Sequence, residues 1–178
     1  FLGAIAATFT VYFIARSGGR IPVETLLLSG DTLVVGAPDR DVAFLDWAGS
    51  AFVFRRDYDP ANPGTPAPDN WGQLKTLTGS APQAGASFGQ SVAIDGERVV
   101  VGAPNRTVSN LGDAGAVLVF ERNHNPDDPS APAADYWGQR QMLLASVLSK
   151  GATFGASVSA DGARVAVGAP QEGSYDAE

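Results

Sequence analysis

The sequence predicts an all-β chain assembled from tandem four-stranded units, and three observations carry that reading. Gly-Ala-Pro occurs at Gly36-Ala37-Pro38, Gly102-Ala103-Pro104 and Gly168-Ala169-Pro170, each copy 66 residues after the one before. Other landmarks keep the same step: Phe88-Gly89 returns as Phe154-Gly155, and Trp71-Gly72-Gln73 returns as Trp137-Gly138-Gln139. Short Val-rich runs recur between turn residues, and no segment sustains a helical period. Separate landmarks held in one register are the signature of a repeat architecture.

Each element of the unit has its own justification. Ser91-Val92-Ala93-Ile94 and Arg98-Val99-Val100-Val101 flank Asp95-Gly96, a two-residue hairpin signal, since both residues tolerate positive φ. Turns recur at Ser29-Gly30-Asp31 and Asp161-Gly162-Ala163. The uninterrupted Val run is what a strand buried on both faces requires. Gly102-Ala103 keep the side chains small where backbones crowd, and Pro104 ends the strand because it cannot donate to a ladder. The third strand covers residues 116–120, a recurrence of Gly49-Ser50-Ala51-Phe52-Val53-Phe54, and the fourth runs from about Gln139 to Leu144. Four-stranded antiparallel units in tandem are the blades of a β-propeller. The units fall at about 25–86, 87–152 and 153–178, the last one partial. That is about 2.7 units, against the 4–8 blades with which such rings typically close, so the expectation is an incomplete ring.

Phe88-Gly89 and Phe154-Gly155, each followed by Ser-Val, a turn and Val-Gly-Ala-Pro, resemble the FG-GAP repeat of integrin-α-type propellers. The resemblance covers residues 25–178 and implies a seven-bladed propeller serving extracellular adhesion or ligand binding. It also implies an Asp-rich calcium loop between the first two strands. This sequence has only the tight turns at Gly30, Gly96 and Gly162 there, so no metal is expected at the usual position of the family.

Upstream of residue 25 the register fails. A Phe-Gly pair is due at residues 22 and 23, where Pro22-Val23 stands. Residues 1–15 are almost wholly apolar and precede Arg16 and Arg20. Fifteen residues fall short of the ~20 that span a bilayer, yet lie inside the 7–15 range of a signal-peptide core. Residues 1–24 therefore read either as a degenerate blade, with Thr10-Val11-Tyr12-Phe13-Ile14 as its strand, or as a truncated signal or anchor segment.

Composition removes several functional classes. A net charge of −7 argues against a nucleic-acid partner, and the absence of Cys removes disulfides and thiolate metal sites. The single His, His124, aligns with Tyr58 in a Pro-rich loop, and no nucleophile elbow, phosphate loop or dinucleotide fingerprint is present. A non-catalytic chain without a cofactor is expected.

Internal copies offer a guide to sites. Positions identical between units serve the fold, whereas positions that differ inside a loop of fixed length are freer to meet a ligand. The loops between strands two and three, residues 39–48 and 105–114, differ strongly, and Trp47 aligns with Asp113. Asp41, Asp46, Trp47, Arg106 and Asp113 are the candidate contact residues; the alternative for Trp47 is cover for a blade edge. In the loops between strands three and four, Pro60, Pro63 and Pro66 recur as Pro126, Pro129 and Pro132, a three-residue step matching a polyproline II ridge. Trp71 and Trp137 are expected to pack on that ridge or on the blade. Asp57 and Asp59, with Asp69 closing the loop, are the candidate calcium ligands; Asn123, Asn125 and Asp135 are their counterparts. The competing reading is that these side chains cap turns before proline. Asn105-Arg106-Thr107 fits a glycosylation acceptor, relevant to a secreted eukaryotic chain.

The expectation is a non-catalytic extracellular, periplasmic or surface-anchored binding or adhesion module. Its partners would be a protein or glycan ligand and further blades of the same chain or of other copies. A membrane enters only through an N-terminal anchor. Two alternatives stand beside it: the propeller part of a polysaccharide-active enzyme with catalytic residues elsewhere, and a spacer in a repetitive surface protein.

Overall fold

The structure, a computed structural model, describes residues 25–65, 67–125 and 136–171. Residues 1–24, Pro66, Pro126, Pro129, Pro132 and Asp135 lie outside that set, and with them the reading of the N-terminal segment. The described residues are all-β. In chain order they form β1 (Thr25–Ser29), β2 (Thr32–Ala37), β3 (Ser50–Arg56), β4 (Trp71–Leu77), β5 (Ser91–Asp95), β6 (Arg98–Ala103), β7 (Ala116–Arg122), β8 (Trp137–Leu143), β9 (Ser157–Asp161) and β10 (Arg164–Gly168). Strands β1-β2-β3-β4 and β5-β6-β7-β8 make two antiparallel four-stranded sheets, and β9 pairs with β10. The described residues do not close into a ring. No helix among them is long and apolar enough to cross a membrane.

Strand ends follow local chemistry. The fourth strand starts at Trp137, two residues before the sequence reading put it, so the Trp belongs to the ladder opposite Arg122. The hairpin loop is Gly96-Glu97, because Asp95 pairs with Arg98 as the last rung. Gly at the first loop position, with φ +55 at Gly96 and +56 at Gly30 and Gly162, is the preference of the II′ turn, whose twist matches the strands.

The central strands of the middle sheet, β6 and β7, bury both faces. Val99, Val101, Ala103, Leu118 and Phe120 pack with Val34, Val53 and Leu77 between the first and second sheets. The alternate residues Val100, Val117 and Val119 pack with Val158, Val165 and Val167 of β9 and β10. The period of two thus sends neighbouring valines into opposite cores, each fully buried one contributing roughly 1.5–3 kcal/mol. The Val run therefore reads as continuous apolar sequence rather than as alternation.

The Phe-Gly and Gly-Ala-Pro segments meet across the sheets. Gly89 donates its N–H to the Gly102 carbonyl of its own sheet at 2.9 Å, and Gly155 donates to Gly168 at 3.0 Å. Their carbonyls point the other way, onto the preceding sheet. A Cβ at Gly36 would sit 1.9 Å from the Gly89 oxygen, and one at Gly102 would sit 2.0 Å from the Gly155 oxygen. Gly89 and Gly155 have φ of +99 and +96, a conformation that side chains rarely adopt. Phe88 bridges Gly49 in parallel and stands edge-on to Phe120, with ring centroids 6.0 Å apart. Thr25 Oγ1 donates to the Gln90 carbonyl at 2.6 Å, and Ser91 Oγ donates to the Gly155 carbonyl at 2.7 Å.

Because the obstructing atom is backbone, Gly102→Ala should destabilise the chain by about 3 kcal/mol. That corresponds to a melting temperature lower by roughly 6–12 °C. Gly112→Ala, where a Cβ meets nothing within 4 Å, should stay within about 0.5 kcal/mol. Circular dichroism melts of the two variants check this, and equal melts would refute the backbone-contact account.

Candidate functional site

The loop joining β2 to β3 is a small hairpin of its own. Val42 and Leu45 bridge each other with N–H···O distances of 3.1 and 2.9 Å, and Gly49 donates to the Arg40 carbonyl at 2.8 Å. The sister loop repeats this with Val108 and Leu111, and with Gly115 donating to Arg106 at 3.0 Å. The two tip residues have positive φ in both copies: 50° and 69° at Ala43 and Phe44, 51° and 66° at Ser109 and Asn110. Such a I′ tip suits Asn and Gly, and Asn110 meets that demand. Phe44 does not, and its side chain is fully exposed. Trp47 repeats the mismatch, with φ +53 and 65 % exposure, where Asp113 holds the same φ in the sister loop. Its backbone N–H donates to Asp41 Oδ1 at 3.0 Å, which fixes the base of the loop. With 65 % of its surface open, little of Trp47 is left to cover a sheet edge.

The two loops share one face because a single connector, residues 78–90, runs between them. Gly85 donates to the Asp46 carbonyl at 2.8 Å and Ser87 to the Trp47 carbonyl at 3.2 Å. From the other side Asn105 Nδ2 donates to Ser87 Oγ at 3.1 Å, and Gln83 exchanges two hydrogen bonds with Thr107. Arg106 Nη1 donates to the Ala81 carbonyl at 2.8 Å, and burial lowers its pKa from the ordinary guanidinium value. Arg40 stands at the equivalent position. Its guanidinium reaches Ser50 Oγ at 3.3 Å and lies 5.2 Å from the Phe52 ring centre. Arg at this position is common to both copies, and both side chains are engaged within the chain. Asp41, Asp46 and Trp47 thus lie on the first loop, and Asn105, Arg106 and Asp113 on the second. Phe44, outside the sequence-derived set, is the residue that belongs with Trp47. The signal available for it was an aromatic between Val42 and Leu45 where the sister copy has Asn110.

The loop between β3 and β4 corrects one expectation. Asn62 donates its N–H to the Asp59 carbonyl at 3.1 Å, and Thr65 donates to Asn62 at 2.9 Å. These are consecutive β-turns with Asp59 and Asn62 at the first position and Pro60 and Pro63 at the second, where proline pre-sets φ. A polyproline II ridge has no internal hydrogen bonds, so the three-residue step of prolines here marks stacked turns instead. Trp137 packs into the core between the first two sheets at 2 % exposure, whereas Trp71 is 38 % exposed.

The carboxylates of Asp57 and Asp59 are engaged locally. Asp57 Oδ1 accepts the Asp69 N–H at 2.8 Å, and Asp59 accepts from the Ala61 N–H at 2.8 Å and from Asn62 Nδ2 at 2.9 Å. Asp57, Asp69 and Asn123 all have positive φ, which Asp and Asn tolerate better than other side chains. Among the described residues no group of three His, Cys, Asp or Glu side chains is placed to hold a metal ion.

A family model described as the FG-GAP repeat matches residues 71–120 and 137–177, about half of the chain, and the chain belongs to this family. Both matched segments begin at the Trp that opens a fourth strand and run on into the next sheet. The unit of sequence is therefore offset from the sheet by one strand, so each copy of the repeat spans the glycine contact described above. No curated protein matches the chain at a significant level.

The Asn62 side chain, and then the Ala61 N–H, hold the Asp59 carboxyl below the ordinary carboxylate range. A pKa lowered by folding stabilises the turn above the unfolded value of about 3.9 and loses that effect as pH falls through the folded value. Carboxyl carbon NMR titration should show the lowered value, and Asn62→Ala should move it back towards the ordinary one. An unmoved value would show that Asn62 is not the cause.

Proposed function

We propose that the chain forms blades of a β-propeller in a non-catalytic binding or adhesion module, working outside the cytoplasm, and that the 39–48 loop is its contact element. Membership of the FG-GAP family and the face-to-face antiparallel sheets support the first part. One observation carries the second: Phe44 and Trp47 stand exposed in left-handed backbone, at positions where the sister loop has Asn110 and Asp113. Holding a bulky residue in that conformation costs about 1–2 kcal/mol, and neither side chain recovers the cost through burial. Strain without a packing return is what a binding surface leaves behind. The loop is also braced by its own bridge and by the 78–90 connector, so docking orders little that is not already ordered. Asp39, Asp41 and Asp46 are exposed on the same stretch of chain, which adds carboxylates to the aromatics and suits a protein or glycan bearing donors or cations.

The double variant Phe44→Asn/Trp47→Asp writes the sister loop into the first sheet. It should fold and be more stable by about 1 kcal/mol or more, since both new residues suit positive φ. Binding of the chain to a glycan microarray and to a panel of immobilised surface proteins should fall by roughly tenfold or more for whichever probe retains the wild type. Unchanged binding would defeat the reading.

A further inference from the structure

The apolar surface that the loop face exposes is small. Among the described residues, Phe44 and Trp47 are the large apolar side chains that stand exposed on the 39–48 loop, the 105–114 loop and the 78–90 connector. A standard protein–protein interface covers roughly 800 Å² and about 20–30 residues on each partner, around an apolar centre. Two aromatics on one short loop do not supply such a centre. The side chains beside them are polar and already engaged: Asn105 with Ser87, Gln83 with Thr107, and Arg106 with Ala81. The patch instead has the size of one or two sugar rings. A pyranose presents C–H groups on a face and hydroxyls around its rim, so it fits an aromatic plate bordered by hydrogen-bond acceptors.

The acceptors of this loop are carboxylates. Asp39, Asp41 and Asp46 are all exposed. Asp41 Oδ1 takes the Trp47 N–H at 3.0 Å, and the carboxylates of Asp39 and Asp46 have no partner among the described residues. An ionised carboxylate accepts hydroxyls in short, charge-assisted hydrogen bonds, roughly twice as strong as neutral ones. The same charges turn one class of sugar away. Against three carboxylates the loop has one cation, Arg40, whose guanidinium reaches Ser50 Oγ and the Phe52 ring. The 78–90 connector has no charged residue, and the 105–114 loop carries one Arg and one Asp. A sulfate or carboxylate on a glycan would therefore meet like charge, with the cation of the loop already engaged. We propose that the 39–48 loop binds a neutral glycan, a sugar ring stacking on the exposed aromatics and donating its hydroxyls to the Asp carboxylates, and that it rejects sulfated and uronic-acid glycans. The inference rests on the reading of this loop as the contact element, and it adds the class of ligand.

The test probes an array of glucose, galactose, mannose and N-acetylglucosamine hexaoses, printed beside sulfated and uronic-acid hexaoses, with the full 178-residue chain. The chain should be retained on a neutral hexaose, and roughly tenfold or more weakly on every acidic one. Phe44→Asn/Trp47→Asn, which leaves the charge unchanged and suits positive φ, should lower the neutral signal by about tenfold or more. Asp39→Asn/Asp46→Asn should lower the neutral signal and raise the acidic one, each by roughly threefold. Retention on no neutral hexaose overturns the inference. The contact-element reading survives that result if an immobilised protein retains the chain and loses the aromatic variant. A neutral signal that the aromatic variant leaves unchanged overturns the reading and the inference together. Acidic hexaoses bound as tightly as neutral ones overturn the proposed selectivity.

Discussion

The structure depends on one close approach of backbone to backbone. The carbonyl of Gly89 lies over Gly36, and that of Gly155 over Gly102, at separations that leave no volume for a methyl group on either partner sheet. The same two residues donate their N–H groups to Gly102 and Gly168, so each links its own hairpin to the sheet before it. Everything else about the stacking follows. With the sheets held this near, the valines of β6 and the apolar residues of β7 reach cores on both sides. A larger residue at the close approach would open the cores on either side and lose dispersion contacts along the whole interface.

This arrangement explains why the repeat and the sheet are out of phase. The family match starts at a fourth strand and ends in the next sheet, because the repeated object is the joint rather than the sheet. Trp137 shows the same logic, opening β8 while its ring lies in the core shared with the preceding sheet. Trp71, at the equivalent place in the first sheet, has 38 % of its surface exposed.

A rigid joint also gives a rigid face. The connectors that bring Phe88 and Phe154 into place are hydrogen-bonded to the 39–48 and 105–114 loops, so the framework that aligns the sheets positions the loop tips as well. Against that regularity the two copies diverge most at their exposed positions. Asn110 and Asp113 satisfy the left-handed backbone, whereas Phe44 and Trp47 oppose it. The Arg of each loop serves the framework, and Asp57 and Asp59 serve the turns of the β3–β4 loop.

The strands, the step between them and the glycines at the joint are legible in the residue order, because β-branched runs, turn residues and Pro are local signals that tertiary context did not override. The same order marks the 39–48 loop as the place where the copies part. Other features needed the folded chain. Whether Pro60 and Pro63 belong to a ridge or to consecutive turns depends on hydrogen bonds from Asn62 and Thr65, which spacing alone does not encode. That Arg106 turns inward to Ala81 while Phe44 turns outward depends on where the 78–90 connector runs. Strain at Phe44 and Trp47 likewise appears only once the folded loop sets positive φ at bulky residues. The turns and the loop angles rest on backbone hydrogen bonds that residue order does not encode, and the course of Arg106 rests on a contact between segments 25 residues apart.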